Sequence, residues 1–205
     1  MGTGTKIALG VIAAIVLIVL IFGGMIASSY NSLVTLDQAA QAQWGQVENV
    51  YQRRADLIPN LVNTVKGAAN FEQSTLTAVT EARSRVGQVT SGAVENVARD
   101  PQAFARFQQA QDGLSSALSR LMVVVEKYPE LKANQNFRDL QAQLEGTENR
   151  ISVERKRFNE TAQDFNTKRD KFPTVIIAGL FGSRFQEKPY FKAQTGAEKA
   201  PEVKF

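Results

Sequence analysis

The sequence predicts an all-α protein: an N-terminal transmembrane helix continuing into an up-down antiparallel four-helix bundle, then a short hydrophobic segment and an extended tail. Three observations carry this. Ile7–Ala27 runs 21 residues without a charged or strongly polar side chain. Downstream, apolar residues recur at steps of three and four, the spacing of one helix face and not a strand's period of two. Proline and glycine break that pattern at a few points only, which leaves four long segments.

Ile7–Ala27 comes first. At about 1.5 Å per residue it spans roughly 30 Å, the thickness of a bilayer's hydrocarbon core. Within lipid a single segment satisfies its own backbone groups over that distance only as a helix. Ala27 and Ser29 could fill the small positions of a signal-peptide cleavage site. The apolar region of a signal peptide is shorter, however, at about 7–15 residues, so the run reads as an uncleaved anchor. It shows no amphipathic stripe of the kind a buried core helix carries. Gly10 with Ala14, and Gly23 with Ala27, are small-residue pairs of the type that lets membrane helices approach closely. Lys6 and the N-terminal amine precede the anchor, and the next basic residue is Arg53. The bias of basic residues toward the inside therefore predicts a cytoplasmic N-terminus with the bulk exported. The expected organisation is a short tail (1–6), the anchor (7–27), the bundle (28–173), a hydrophobic segment (174–182) and the tail (183–205).

The first bundle helix carries Leu33, Leu36, Ala40, Trp44, Val47 and Tyr51, then Ile58, Leu61, Val65 and Ala68. No turn signal separates it from the anchor, and Tyr30 stands where an interfacial aromatic is expected. Pro59 predicts a kink. Asn70 and Gln73 resemble a helix cap and its partner, opening a second helix through Leu76, Val79, Ala82, Val86 and Val89. Asp100-Pro101 predicts the start of a third, an N-cap followed by proline at the first helical position. Its seam is Phe104, Phe107, Gln111, Leu114, Leu118, Leu121, Val125 and Tyr128, closed by Pro129. In the fourth helix Phe137, Leu144, Ile151, Phe158, Phe165 and Phe172 recur every seven residues. The companion positions Leu140, Thr147, Glu154, Thr161 and Lys168 turn polar along the chain, so one edge should be buried and the other progressively wetter. Pro173 should end this helix.

An antiparallel arrangement brings the fourth helix back to the anchor's exit. Tyr30, Val175, Ile176, Ile177, Leu180 and Phe181 would then lie together at the membrane interface; alternatively the TVIIAGLFG segment folds over the bundle end as a cap. Residues 183–205 read as extended and only locally ordered.

The 205-residue chain has neither Cys nor His. Disulfides, thiolate chemistry and the commonest general base and imidazole metal ligand are thereby excluded. A net charge of +4 is interspersed with acids and gathers on no unbroken face, which argues against nucleic-acid binding. No cofactor motif and no catalytic constellation is visible. Arg54 and Glu154 occupy seam positions where apolar residues are expected, and in an antiparallel pair Arg54 lies level with Glu148. A buried polar network of Arg53, Arg54, Glu148 and Glu154 is the candidate, structural in the first reading and partner-binding in the second. Asn159 and Asn166 each follow a seam phenylalanine and should line one flank of the fourth helix, for polar pairing or for a partner helix.

Several long motifs resemble the LemA family. QRRADLIPNLVNTVKG and FEQSTLTAVTEARS are two, YPELKANQNFRDLQAQLEGTENRISVERKRFNETAQDFNT is a third, and KFPTVIIAGLFG with KPYF completes the set. Relatives often carry His-Glu at Phe71-Glu72, so histidine chemistry has no residue here to rest on. The resemblance implies a membrane-anchored antiparallel helical bundle at the bacterial inner membrane with no established biochemical activity. Some relatives occur beside HtpX-like membrane proteases, and one branch is linked to magnetosome membrane formation. The family is also drawn with its bulk in the cytoplasm, against the charge count above. The expected partners are the lipid bilayer, other membrane proteins such as an HtpX-type protease, and further copies of the chain. The expected function is a non-enzymatic scaffold or adaptor, the alternative a membrane-shaping oligomer.

Overall fold

The computed structural model describes residues 2–67, 71–91 and 97–192. Asn70, the expected helix cap, lies outside them, as do Ala68, Gly92 and residues 193–205. Helix α1, Thr3–Lys66, is unbroken for 64 residues, a length of about 96 Å. The anchor and the first bundle helix are thus one element. Pro59 neither ends nor divides it. The proline forfeits one backbone hydrogen bond, but Ile58 and Leu61 on either side are locked in the core. Between Ile7 and Ile26 the large apolar side chains are exposed all round. Among the described residues this is one helix long and apolar enough to cross a membrane, and it is a candidate anchor.

Helix α2, Gln73–Ser91, descends beside α1, and Arg83 Nε of α2 donates to the Ala55 carbonyl at 3.0 Å. Helix α3, Pro101–Val125, starts as expected: Pro101 is its first residue, and the Asp100 carboxylate accepts from the Gln102 amide at 2.8 Å. A single-turn helix not anticipated from the pattern, α4 at Pro129–Ala133, follows. Asn134 then caps α5, Gln135–Asp170, by accepting from the Phe137 amide at 3.2 Å. Helix α5 runs antiparallel to α1 along its whole length. Helix α6, Thr174–Leu180, leads into a 3-10 turn at Gly182–Phe185, where Gly182 adopts φ +34, a conformation costly for any residue with a Cβ.

The core has three storeys. The upper one, farthest from the anchor, joins all four long helices through Ile58, Leu61, Val79, Leu114, Leu121 and Phe137. The middle one is aromatic: Trp44, Phe104, Phe107, Phe158 and Phe191. The lowest holds Leu33, Phe165, Ala178 and Phe185. Helices α2 and α3 do not reach this level. The chain after α6 turns back along α5 and fills the space they leave. Residues 185–192 are extended over most of their length, as the sequence suggests, but Phe185, Lys188 and Phe191 are core residues rather than parts of a loosely ordered tail.

Phe172 departs from the sevenfold pattern. Helix α5 ends two residues before it, so the helical register that would bury it is gone, and it is 81% exposed. Phe158, two repeats earlier, is completely buried between Trp44, Phe104 and Phe191. Phe158→Ala is expected to cost about 3–5 kcal/mol of stability, and Phe172→Ala close to nothing, when each is measured by denaturant unfolding in detergent.

Candidate functional site

Arg54 lies on the α1 face that meets α3 and α5 and is 1% exposed. Its Nη1 donates to Glu148 at 2.9 Å and to Ser115 Oγ at 2.8 Å, and its Nη2 to the Gln111 side chain at 2.6 Å. The guanidinium also stands 5.1 Å from the Tyr51 ring centroid. Of the four residues expected in this network, two meet. Arg53 is exposed, because adjacent helical residues point about 100° apart. Glu154, six residues beyond Glu148 along α5, instead accepts from Gln43 at 2.6 Å and Arg157 at 2.9 Å. Arg54 Nε is buried without a protein partner among the described residues. The arrangement ties three helices together at one level, as a register-fixing polar contact would.

A second polar centre holds the returning chain. Asn166 Nδ2 donates to the Lys188 carbonyl at 2.9 Å, and Asn166 Oδ1 accepts from the Lys188 amide at 2.8 Å. Seven residues back, Asn159 repeats the arrangement with Phe191, at 3.0 and 2.9 Å. The spacing is a match of two rises. Seven residues of α-helix advance about 10.5 Å, and three extended residues about 10 Å. Asn166 donates additionally to the Tyr190 hydroxyl at 2.9 Å, so its amide is fully used.

The side chains at these two contacts enter fitted slots. Lys188 is 1% exposed, donates from Nζ to Asp37, and stands 4.9 Å from the Phe165 ring. Arg99, in the turn before α3, donates to the other Asp37 oxygen. Phe191 stacks on Trp44 at 6.0 Å, contacts Phe104 at 4.7 Å, and is covered by the Arg155 guanidinium at 4.7 Å. Sequence reasoning placed Asn159 and Asn166 on one flank of α5 but assigned Asp37, Arg99, Lys188 and Phe191 no role. The available signal was Asp37 itself, since Leu33, Asp37, Ala40 and Trp44 step by four, three and four, which puts an acid on the seam.

The third feature is at the anchor's exit. One face of α6 packs inward through Thr174, Ile177 and Ala178. Ile177 is therefore a core residue and does not belong with the expected interfacial set. Val175, Ile176, Leu180 and Phe181 remain exposed. Tyr30 lies 4.9 Å from Phe181 and 5.5 Å from Phe185.

Burial raises the Tyr51 phenol above its ordinary value, against the lowering effect of Arg155 and Arg54, so it stays protonated and is no base at neutral pH. Among the described residues no three His, Cys, Asp or Glu side chains gather as a metal site. The chemistry on offer is recognition: ion pairs, amide-to-backbone bonds and aromatic slots.

Burial also lowers the Lys188 ammonium below the ordinary lysine value of 10.5, with Asp37 opposing the shift. Between the lowered value and 10.5 the unfolded chain binds more protons than the folded one. The stability this group contributes is therefore fully present above 10.5 and is lost as pH falls through the lowered value. The stability of wild type relative to Lys188→Met should rise as pH climbs into that window; a flat difference in thermal unfolding across it would contradict the assignment. At the Arg54 centre, Glu148→Gln should cost roughly 1 kcal/mol because Glu148 is half exposed. Arg54→Ala, which strands buried partners, should cost about 3 kcal/mol, and the double change less than the two single costs added. A double-mutant cycle in denaturant reads this.

The chain is 30% identical over 207 residues to the magnetosome proteins MamQ 1 and MamQ 2 of Paramagnetospirillum magneticum, covering 92% of this chain and 75% of each relative. It is 24% identical over 148 residues to protein LemA of Metamycoplasma hominis, covering 72% of this chain and 63% of the relative. The LemA family model matches residues 43–205, from the residue before Trp44 to the end of the chain. The chain belongs to the LemA family.

Proposed function

We propose that this protein is a single-pass, non-enzymatic scaffold anchored in the bacterial inner membrane, which holds its helical bundle against the bilayer surface and docks other membrane proteins there. An HtpX-type protease is one such partner. The N-terminus is cytoplasmic and the bulk extracytoplasmic. The observation that carries the reading is the outward face of α6. Ile176, Leu180 and the neighbouring Phe172 are 56%, 75% and 81% exposed beside the point where the apolar stretch of α1 ends. An apolar patch of that kind on a water-facing surface is unfavourable; beside an anchor it finds the headgroup region of the bilayer. Burying it there holds the bundle in a fixed pose, which is what a docking platform needs.

A self-assembling, membrane-shaping oligomer is the second reading. It is favoured by the open space around Gly10 and Gly23, where an added Cβ would meet nothing within 4 Å and a second helix could approach. Native mass in mild detergent separates the two, a monomer counting against the oligomer.

The chain lacks cysteine, so single-cysteine variants report cleanly. In native membranes Leu180→Cys should react with a water-soluble maleimide at least about tenfold more slowly than Val123→Cys, and the two should react equally in denaturant. Equal rates in membranes would sink the interfacial pose. Protease treatment of spheroplasts should remove the bundle; an intact bundle would place it in the cytoplasm.

A further inference from the structure

The strap at residues 188–191 fills part of the core, yet it is held as a peptide ligand is held. It forms neither helix nor sheet, and its backbone is read at two points by the carboxamides of Asn159 and Asn166. Main-chain recognition of this kind accepts any extended segment, whichever chain supplies it. Selectivity comes from two slots three residues apart. One ends on the Asp37 carboxylate and fits an ammonium; the other is walled by Trp44, Phe104 and Phe158 and fits an aromatic ring. The two residues between the slots, Pro189 and Tyr190, are only half-buried. Open clefts flank the strap on both sides, one against α3 at Pro101, Ala105 and Gln108, the other along α5 at Ser152, Lys156 and Gln163. Lifting it out breaks the asparagine-to-backbone hydrogen bonds and the Lys188–Asp37 pair and uncovers Trp44 and Phe158, but it unwinds no helix.

We propose that this cleft is a peptide-binding site for extended segments carrying a lysine and, three residues later, an aromatic residue, and that Lys188–Phe191 is its resident ligand in cis. A partner membrane protein presenting such a segment displaces the strap and docks on the bundle through the same contacts. This gives chemistry to the partner of the scaffold reading and rests on it. It is nevertheless decided by peptide binding in detergent, where the pose of α6 on a bilayer plays no part.

The test uses the full chain carrying Lys188→Ala and Phe191→Ala, which empties both slots, and a synthetic peptide of residues 185–192. Trp44 is the chain's sole tryptophan and stacks on the Phe191 ring, so its emission reports occupancy directly. The peptide should change that emission saturably. Replacing its lysine or its final phenylalanine by alanine should weaken binding at least about tenfold, and so should adding Asn159→Ala with Asn166→Ala to the protein, provided helical circular dichroism is retained. Absence of a saturable change in a folded double variant overturns the proposal, as does equal binding by the alanine-substituted peptides. Should the variant not fold, the wild-type chain decides. A peptide with a photoreactive phenylalanine analogue at its aromatic position should crosslink beside Trp44 or Phe158, in competition with unlabelled peptide. Crosslinks scattered over the bundle, or none, overturn it.

Discussion

Two helices of this bundle are longer than the two that cover them, and the uncovered length is apolar. Helices α1 and α5 continue toward the anchor for about three turns beyond the start of α3. Leu33, Phe158 and Phe165, all completely buried, lie on their facing surfaces at or below that level. A two-helix pair has too little width to shield such residues from water. Something must fill the missing quarter of the bundle, and the chain supplies it by turning back after α6. The rest of the lower half follows from that need: the turn at Gly182, the asparagine contacts along α5, and the buried ion pair of Lys188 with Asp37.

The buried charge in this filler is chemically awkward. An ammonium taken from water loses solvation worth several kcal/mol, which a single carboxylate repays only with good geometry. An apolar residue at Lys188 would fill the volume with less cost. What lysine adds is direction, because its nitrogen has one acceptable destination, the Asp37 carboxylate, and Asp37 is fixed by Arg99 and Gln41. The strap can therefore occupy one register only. The asparagines set the same register through the backbone, since a one-residue slip would bring neither amide opposite its peptide group. The two devices agree in position, and a contact that must be released and remade correctly needs that agreement.

The bundle was legible because the long helices obey a rule of spacing. Phe137, Leu144, Ile151, Phe158 and Phe165 are buried where a seven-residue repeat places them, and Phe172 is not, because periodicity has no meaning beyond the last hydrogen-bonded turn. The union of anchor and bundle was legible from a missing turn signal. The pairing of Arg54 with Glu148 was legible from counting in opposite directions along antiparallel helices. Local rules of this kind reach only as far as the helix does. Residues 185–192 have no period, and their hydrogen-bond partners lie 16 to 151 positions away. By spacing alone they resemble any polar tail with scattered aromatics, although KPYF at 188–191 is one of the motifs that carry the family resemblance. Ile177 illustrates the same limit on a smaller scale, as TVIIAGL is apolar on all sides and only the position of Tyr30 and Leu33 decides which face turns in.

The strap and the anchor share an end of the molecule, and this couples them. Phe185, the first buried residue after the turn, packs on Tyr30 and Phe165, while Phe181, seven residues before the strap, packs on Tyr30 from the side of α6. Arg169 of α5 donates to the Phe185 carbonyl at 2.8 Å and holds that junction closed. A force or partner that lifts the strap pulls first on Phe185 and hence on Tyr30, at the residue where α1 leaves its apolar stretch. Conversely, seating α6 against an apolar surface fixes the start of the strap and limits the routes by which it can leave. The cleft and the anchor's exit are thus two ends of one short mechanical path, made of a seven-residue helix, a glycine turn and three aromatic rings in tilted and edge-on contact.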